Sequence, residues 1–466
     1  LSDDGGTGAV AQPALAAATP AAERAGAPEY AADATMVQAR IEAKSGDRER
    51  SIATWRRALE LAAKIPQRER SAHLLAYARV ELAAALVETD PDAAEELLAG
   101  VALQGTGELA IAAAMVQADV AERRGDWSTV ETVLRQAIER SRAEREELPQ
   151  LRDRDLFFAR REALHLRLVR LLVDRGEDEP ALAALEDWRT ESLPGSVEAA
   201  ARPPSEDLGD RLAREPGRAF YSLLALPDEL LVWRRTPAGP VLVRHRLSRA
   251  RLQELVTGAV ADVRRRGGGD SARRLARLVF GDELPAGVER LVIAPDAALF
   301  AVPFAALPVP GADVPIVAAH QVVLVPGLRS WLALRERAAM PMGCALLVEG
   351  GADGGALDPG LPGVRQLGDE LRELAKTHAC SLFARSVPEL RAQLAEHPAL
   401  IHYAGHTLAS GPAGGSLLLA GEKDVEPLES AEIESWRLQG PLVVLSTCSA
   451  AEGRPSPLAG RDGLAR

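Results

Sequence analysis

Two stretches of this chain end an apolar run in a side chain capable of covalent or proton chemistry. They are Leu400-Ile401-His402-Tyr403-Ala404-Gly405-His406-Thr407 and Leu442-Val443-Val444-Leu445-Ser446-Thr447-Cys448-Ser449. Near-continuous apolar runs of this length read as strands buried on both faces of a parallel sheet. In such sheets ligands sit beyond the carboxyl ends of the strands. A thiol with its ordinary pKa of about 8.5 is only a few per cent thiolate near neutrality. An adjacent imidazole can take that proton and later return it to a leaving amine. The turns after the two strands could supply backbone N–H groups to a tetrahedral oxyanion, from Cys448 itself and from the Gly405–Thr407 turn. On position alone the His406/Cys448 pair stays evenly balanced between a catalytic dyad and two unrelated strand-end residues.

The other candidates have plainer readings. Cys344 and Cys380 precede or open apolar strands and read as inert core residues. His402 sits mid-strand between Ile401 and Tyr403 and reads as a satisfied packing histidine. His73, His165, His245, His320, His378 and His397 read as surface or helix-face residues. Three cysteines cannot build a disulfide framework, and no Cys/His metal-ligand spacing occurs, so a reducing compartment is expected. No metal or organic cofactor is implied.

Composition narrows the partners. The net charge is −12, and an acidic chain repels nucleic acid and anionic membrane. Basic side chains are almost all Arg, with lysines only at Lys44, Lys64, Lys376 and Lys423. The bias runs through every segment and does not mark a phosphate site. No run of about 18 apolar residues is present to span a bilayer.

The strands that position His406 and Cys448 belong to the second half of a chain long enough for two or three domains. Residues 1–30 are Ala/Gly/Pro-rich and read as a disordered leader. Residues 31–201 read as amphipathic helices punctuated by turns at Ser45-Gly46-Asp47, Thr89-Asp90-Pro91, Arg124-Gly125-Asp126 and Arg175-Gly176-Glu177. Helix, turn, helix is the unit of a tetratricopeptide-like array. The turn spacing is irregular, so the reading is a degenerate helical-repeat domain, with an irregular bundle as the alternative. Residues 202–217 read as a polar linker. From 218 to 466 short strands alternate with helices, as in a layered α/β domain. The fold class expected is therefore α + α/β.

The segment 218–466 resembles CHAT domains, caspase-like cysteine peptidases that often follow tetratricopeptide repeats. Three stretches carry the resemblance. The first is Arg290-Leu-Val-Ile-Ala-Pro-Asp296 with Leu299 and Val302-Pro303-Phe304-Ala305-Ala306-Leu307. The second is Leu361-Pro362-Gly363 leading to Asp369-Glu370. The third is the pair of strands ending in His406 and Cys448. The resemblance implies a three-layer α/β/α domain that hydrolyses protein substrates through a Cys448 thioester. His406 would be base and then acid, and the backbone N–H groups of Thr407 and Cys448 would form the oxyanion hole. It implies a pocket for the residue before the scissile bond. Asp353 and Asp358 are the acidic candidates for it, although a solvated loop is the plainer reading of both. A bacterial-type cytoplasmic regulatory protease is expected, with a protein partner on the helical repeats.

Two local departures from the family pattern stand out: Thr407 where Gly is usual, and Ser449-Ala450-Ala451-Glu452-Gly453 where Glu-Thr-Gly is usual. The family also continues past the Cys strand, so an incomplete domain with an exposed apolar Leu442–Ser446 edge is expected. Two rival readings remain. One is a non-catalytic binding scaffold on the same fold. The other is an α/β hydrolase, which would want a Gly-x-nucleophile-x-Gly elbow with its His later in the chain.

Overall fold

A computed structural model describes residues 17–99, 101, 107–146, 161–191, 208–265, 269–336, 343–350, 371–377, 380–411, 414–420, 425–436, 438, 440–447, 454–456 and 460–462. The chain divides into two compact units, Leu1–Arg175 and Gly176–Arg466.

The first unit is helical. Residues 17–24 form a helix, which corrects the disordered leader expected over 1–30 for its described part. Alanine is the strongest helix former, and Ala22 packs on the helical core while Thr19 Oγ1 lies 3.3 Å from Thr35 Oγ1. Then follow α1 (Pro28–Lys44), α2 (Arg48–Ala62), α3 (Arg68–Leu86), α4 (Pro91–Ala99), α5 (Glu108–Arg123), α6 (Trp127–Glu146) and α7 (Glu162–Asp174). The turns share one construction. Gly46 and Gly125 adopt positive φ of 83° and 72°, the left-handed conformation that ends a helix and favours glycine. The acidic residue that follows starts the next helix. Asp47 accepts from Arg50 N at 3.2 Å and Asp126 from Thr129 N at 3.0 Å, and Asp90 does the same for Ala93 N at 3.1 Å. Each such side chain satisfies one otherwise orphaned N–H of the first turn. Trp55, Leu61, Leu82, Leu86 and Leu98 anchor a core otherwise rich in alanine. His165 on α7, expected at a helix surface, is instead buried.

The second unit opens with α8 (Asp178–Glu191) and α9 (Leu208–Ala213). The first falls within the expected helical domain, 31–201, and the second within the expected linker, 202–217. Leu208 and Leu212 are buried, so 208–213 is a packed helix. α8 docks on the sheet through a buried polar network. Glu186 and Arg189 are 0% and 4% exposed. Arg189 donates to Glu186 at 3.0 Å, to Ser222 Oγ at 2.8 Å and to the carbonyls of Leu223 and Pro295. Glu186 accepts from the N–H groups of Leu328 and Arg329. A charge leaves water at acceptable cost only with such partners.

The strands β1 (Arg218–Ala225), β2 (Glu229–Thr236), β3 (Gly239–Arg246), β4 (Arg290–Ala294) and β5 (Gln321–Leu324) form a sheet in the order β3-β2-β1-β4-β5. β1, β2 and β3 pair antiparallel, and β4 joins β1 and β5 in parallel. Helices α10 (Arg249–Arg264) and α11 (Asp270–Phe280) share one core with β1, β2 and β4. The Pro295-Asp296 motif is the corner of this sheet. Asp296 Oδ2 accepts from Ala225 N at 2.7 Å, and Leu299, Phe304 and Leu307 fill the core beneath.

After α12 (Leu328–Glu336) a second, all-parallel sheet forms from β6 (Ala345–Glu349), β7 (Ser381–Ala384), β8 (Leu400–Ala404) and β12 (Leu442–Ser446), in the order β12-β8-β6-β7. Helix α13 (Val387–Leu394) lies between β7 and β8 in sequence. Strands β9 (Thr407–Gly411), β10 (Gly414–Ala420) and β11 (Val425–Glu429) make a three-stranded antiparallel sheet that packs on β6 and β8. β8 is interior, as its apolar run implied. Among the described residues β12 lies at the sheet edge and is not buried on both faces, with Leu442 and Val443 51% and 47% exposed. An apolar run reports hydrophobicity, not how many neighbours the strand acquires.

Cys344 and Cys380 are joined in a disulfide, which corrects their reading as inert core thiols. Each directly precedes a strand, and the parallel register of β6 and β7 sets Ala345 opposite Ser381. The two cysteines therefore face each other with Cα atoms 4.6 Å apart, inside the range a disulfide needs.

Candidate active site

The register of β8 and β12 brings the two strand ends level, with Ala404 opposite Ser446. The chain continues as Gly405-His406-Thr407 from one strand and as Thr447-Cys448 from the other. Contact persists past the ladder. Gly405 N donates to Ser446 O at 3.3 Å, and Thr447 Oγ1 donates to Thr407 Oγ1 at 3.2 Å. The residue following His406 thus touches the residue preceding Cys448. His406 itself is buried at 8% exposure. Cys448, Asp353, Asp358 and the Leu361-Pro362-Gly363 segment lie outside the described residues.

Thr407 occupies the first position of β9 and pairs with Leu417 of β10. Extended backbone is where a β-branched residue is at ease, so threonine in place of the expected glycine is met here by a strand.

The backbone of His406 is held from below. Its carbonyl accepts from Leu418 N at 3.1 Å and from the phenol of Tyr403 at 2.6 Å. Tyr403 also reaches Leu418 O at 2.9 Å and accepts from Leu418 N at 3.2 Å. Burial pushes the pKa of this phenol above its ordinary value, keeping it protonated. Two glycines make room for it. A Cβ on Gly405 would lie 2.5 Å from Tyr403 Oη, and one on Gly350 would lie 2.8 Å from it. Gly350 N donates to Ala404 O at 2.8 Å, locking the end of β6 to the end of β8.

On the other face of β8, His402 is half-buried and its Nε2 lies 2.8 Å from Ser446 Oγ. Burial lowers its pKa, favouring the neutral ring. His402 is therefore a satisfied strand histidine, as its mid-strand position suggested. Tyr403, Gly350, Ser446 and Thr447 escaped notice in the sequence. Alternation along β8 placed Tyr403 opposite His402, but nothing local shows that its hydroxyl turns toward the chain three residues on.

Among the described residues no cluster of three or more His, Cys, Asp or Glu side chains could hold a metal ion, and no helix is long and apolar enough to cross a membrane.

No curated protein matches the chain. The CHAT family matches residues 269–466, beginning just ahead of α11 and running through both candidate strands. CHAT domains are related to caspase-like cysteine peptidases. The match spans the strands β8 and β12 that end at the candidate residues, and residues 269–466 are a CHAT domain.

Proposed function

We propose that the chain is a cysteine endopeptidase acting on protein substrates, with Cys448 as nucleophile and His406 as general base and then general acid. The reading rests most on the level ends of β8 and β12, where Thr447 and Thr407 are in contact. The thiol proton passes to His406, and the Cys448 sulfur attacks the scissile carbonyl carbon. Backbone N–H groups of Cys448 and Thr407 stabilise the oxyanion. The C–N bond breaks, the amine leaves with the proton from His406, and a thioester remains. Water then gives a proton to His406 and attacks the thioester carbonyl. The C–S bond breaks and the acid product departs. The helical unit recruits a protein substrate or regulator over its extended surface.

The test is the alkylation rate of Cys448 against pH in the intact chain, read by peptide mass spectrometry. With Cys344 and Cys380 paired, Cys448 is the single free thiol of three cysteines. A rate midpoint well below about 8.5 that returns to that value in His406→Ala is expected. A midpoint near that of a free thiol in both proteins would leave the scaffold reading in its place.

A further inference from the structure

We infer that Tyr403 is the positioning residue of His406, an inference that rests on the Cys448/His406 reading. A catalytic imidazole is useful only if its ring stays where the thiol can reach it. His406 lies just past the end of β8, where the parallel ladder stops, so its backbone takes anchors from elsewhere, among them Leu418 N at 3.1 Å. The Tyr403 phenol supplies another. It is 1% exposed and sits between the His406 carbonyl at 2.6 Å and the Leu418 carbonyl at 2.9 Å, with Leu418 N donating to it at 3.2 Å. A hydroxyl carries one proton, so that proton is shared between the carbonyl of the turn residue His406 and that of the strand residue Leu418. The phenol thereby ties the turn bearing His406 to the middle of β10.

The surroundings are built around this oxygen. Ring packing against Leu346, Leu417 and Leu419 would be met equally by phenylalanine. Gly350 and Gly405 approach both this hydroxyl and each other: a Cβ on either would meet the Tyr403 oxygen, at 2.8 and 2.5 Å, and the other glycine's Cα at 2.7 Å. The tether acts on the backbone and never on the reacting atoms. Tyr403 therefore sets where the His406 ring stands without taking part in proton transfer.

The test is a double-mutant cycle on the intact chain: native protein, Tyr403→Phe, His406→Ala and the double variant, each assayed for Cys448 alkylation from pH 5 to 9 and for thermal unfolding. In Tyr403→Phe the rate near neutrality should fall about fivefold to tenfold, with its pH midpoint moving toward that of a free thiol. In the His406→Ala background the same change should have no further effect, because the tether acts through the imidazole. Equal slowing in both backgrounds, or an unchanged pH profile beside a lowered Tm, would reduce Tyr403 to a packing residue and overturn the inference. If His406→Ala leaves Cys448 unchanged, the dyad fails and the inference falls with it. A His406-dependent thiol indifferent to Tyr403→Phe removes the inference alone. Tyr403→Met, which also removes the hydroxyl and leaves the Gly350–Gly405 approach untouched, repeats the cycle should Tyr403→Phe not fold.

Discussion

Thr407 and Thr447 meet hydroxyl to hydroxyl at 3.2 Å, forty positions apart in the chain. One follows His406 and the other precedes Cys448. The contact carries the β8–β12 neighbourhood past its last paired residues, Ala404 and Ser446, as far as Thr407 and Thr447.

Removing either hydroxyl should loosen that join. Thr407→Val and Thr447→Val each keep the β-branch and volume while deleting the bond. A loss of about 0.5–1.5 kcal/mol is expected for each. The double variant should cost little more than either single, because both remove the same bond. Urea unfolding of the four proteins measures it, and additive losses would show that the hydroxyls act separately.

The disulfide closes a loop with a sequence separation of 36 residues. Reducing it should cost about 2–4 kcal/mol of stability and lower the Tm of the Gly176–Arg466 unit. Cys344→Ser/Cys380→Ser should match the reduced protein and be insensitive to reductant. An identical Tm with and without reductant in the native protein would mean that the pair is not formed in solution.

α8 depends on buried charges. Glu186→Ala leaves the Arg189 guanidinium without its carboxylate and strips the first N–H groups of α12 of their acceptor. Breaking a buried pair from one side costs about 3–5 kcal/mol. Replacing both residues by Met should recover much of that loss. Calorimetry on the three proteins checks the ordering, and a single variant as stable as the native chain would contradict it.

His165 should make the helical unit acid-sensitive. Burial, with the charges of Arg142 and Arg161 added, holds its pKa well below 6.5 in the folded state. The unfolded chain therefore binds this proton first, and stability falls as pH drops below about 6.5. The loss stops growing once pH passes below the folded pKa. Its slope approaches about 1.4 kcal/mol per pH unit in between. Above the unfolded pKa both states are neutral and the contribution is flat. His165→Gln should remove the slope, measured as Tm between pH 5 and 8. A native Tm independent of pH across that range would rule the effect out.

The dissection of the chain was legible wherever local chemistry decides structure. Gly46-Asp47 and Gly125-Asp126 mark helix ends because positive φ and N-capping are properties of those residues alone. The apolar runs Leu400–Ala404 and Leu442–Ser446 are strands with the bounds their composition implied, each leading to a candidate catalytic residue. The α + α/β division and the CHAT domain were visible on the same grounds.

What tertiary structure decided is pairing between distant positions. That Cys344 faces Cys380, that α8 plugs a buried Glu186–Arg189 pair into the sheet and that Tyr403 reaches the His406 carbonyl all follow from which strands neighbour which, and in what register. Register is set by the summed burial of whole strand faces. No single residue carries that sum in its own neighbourhood of the sequence, and so the chemistry at the strand ends could be read before the scaffold that holds it.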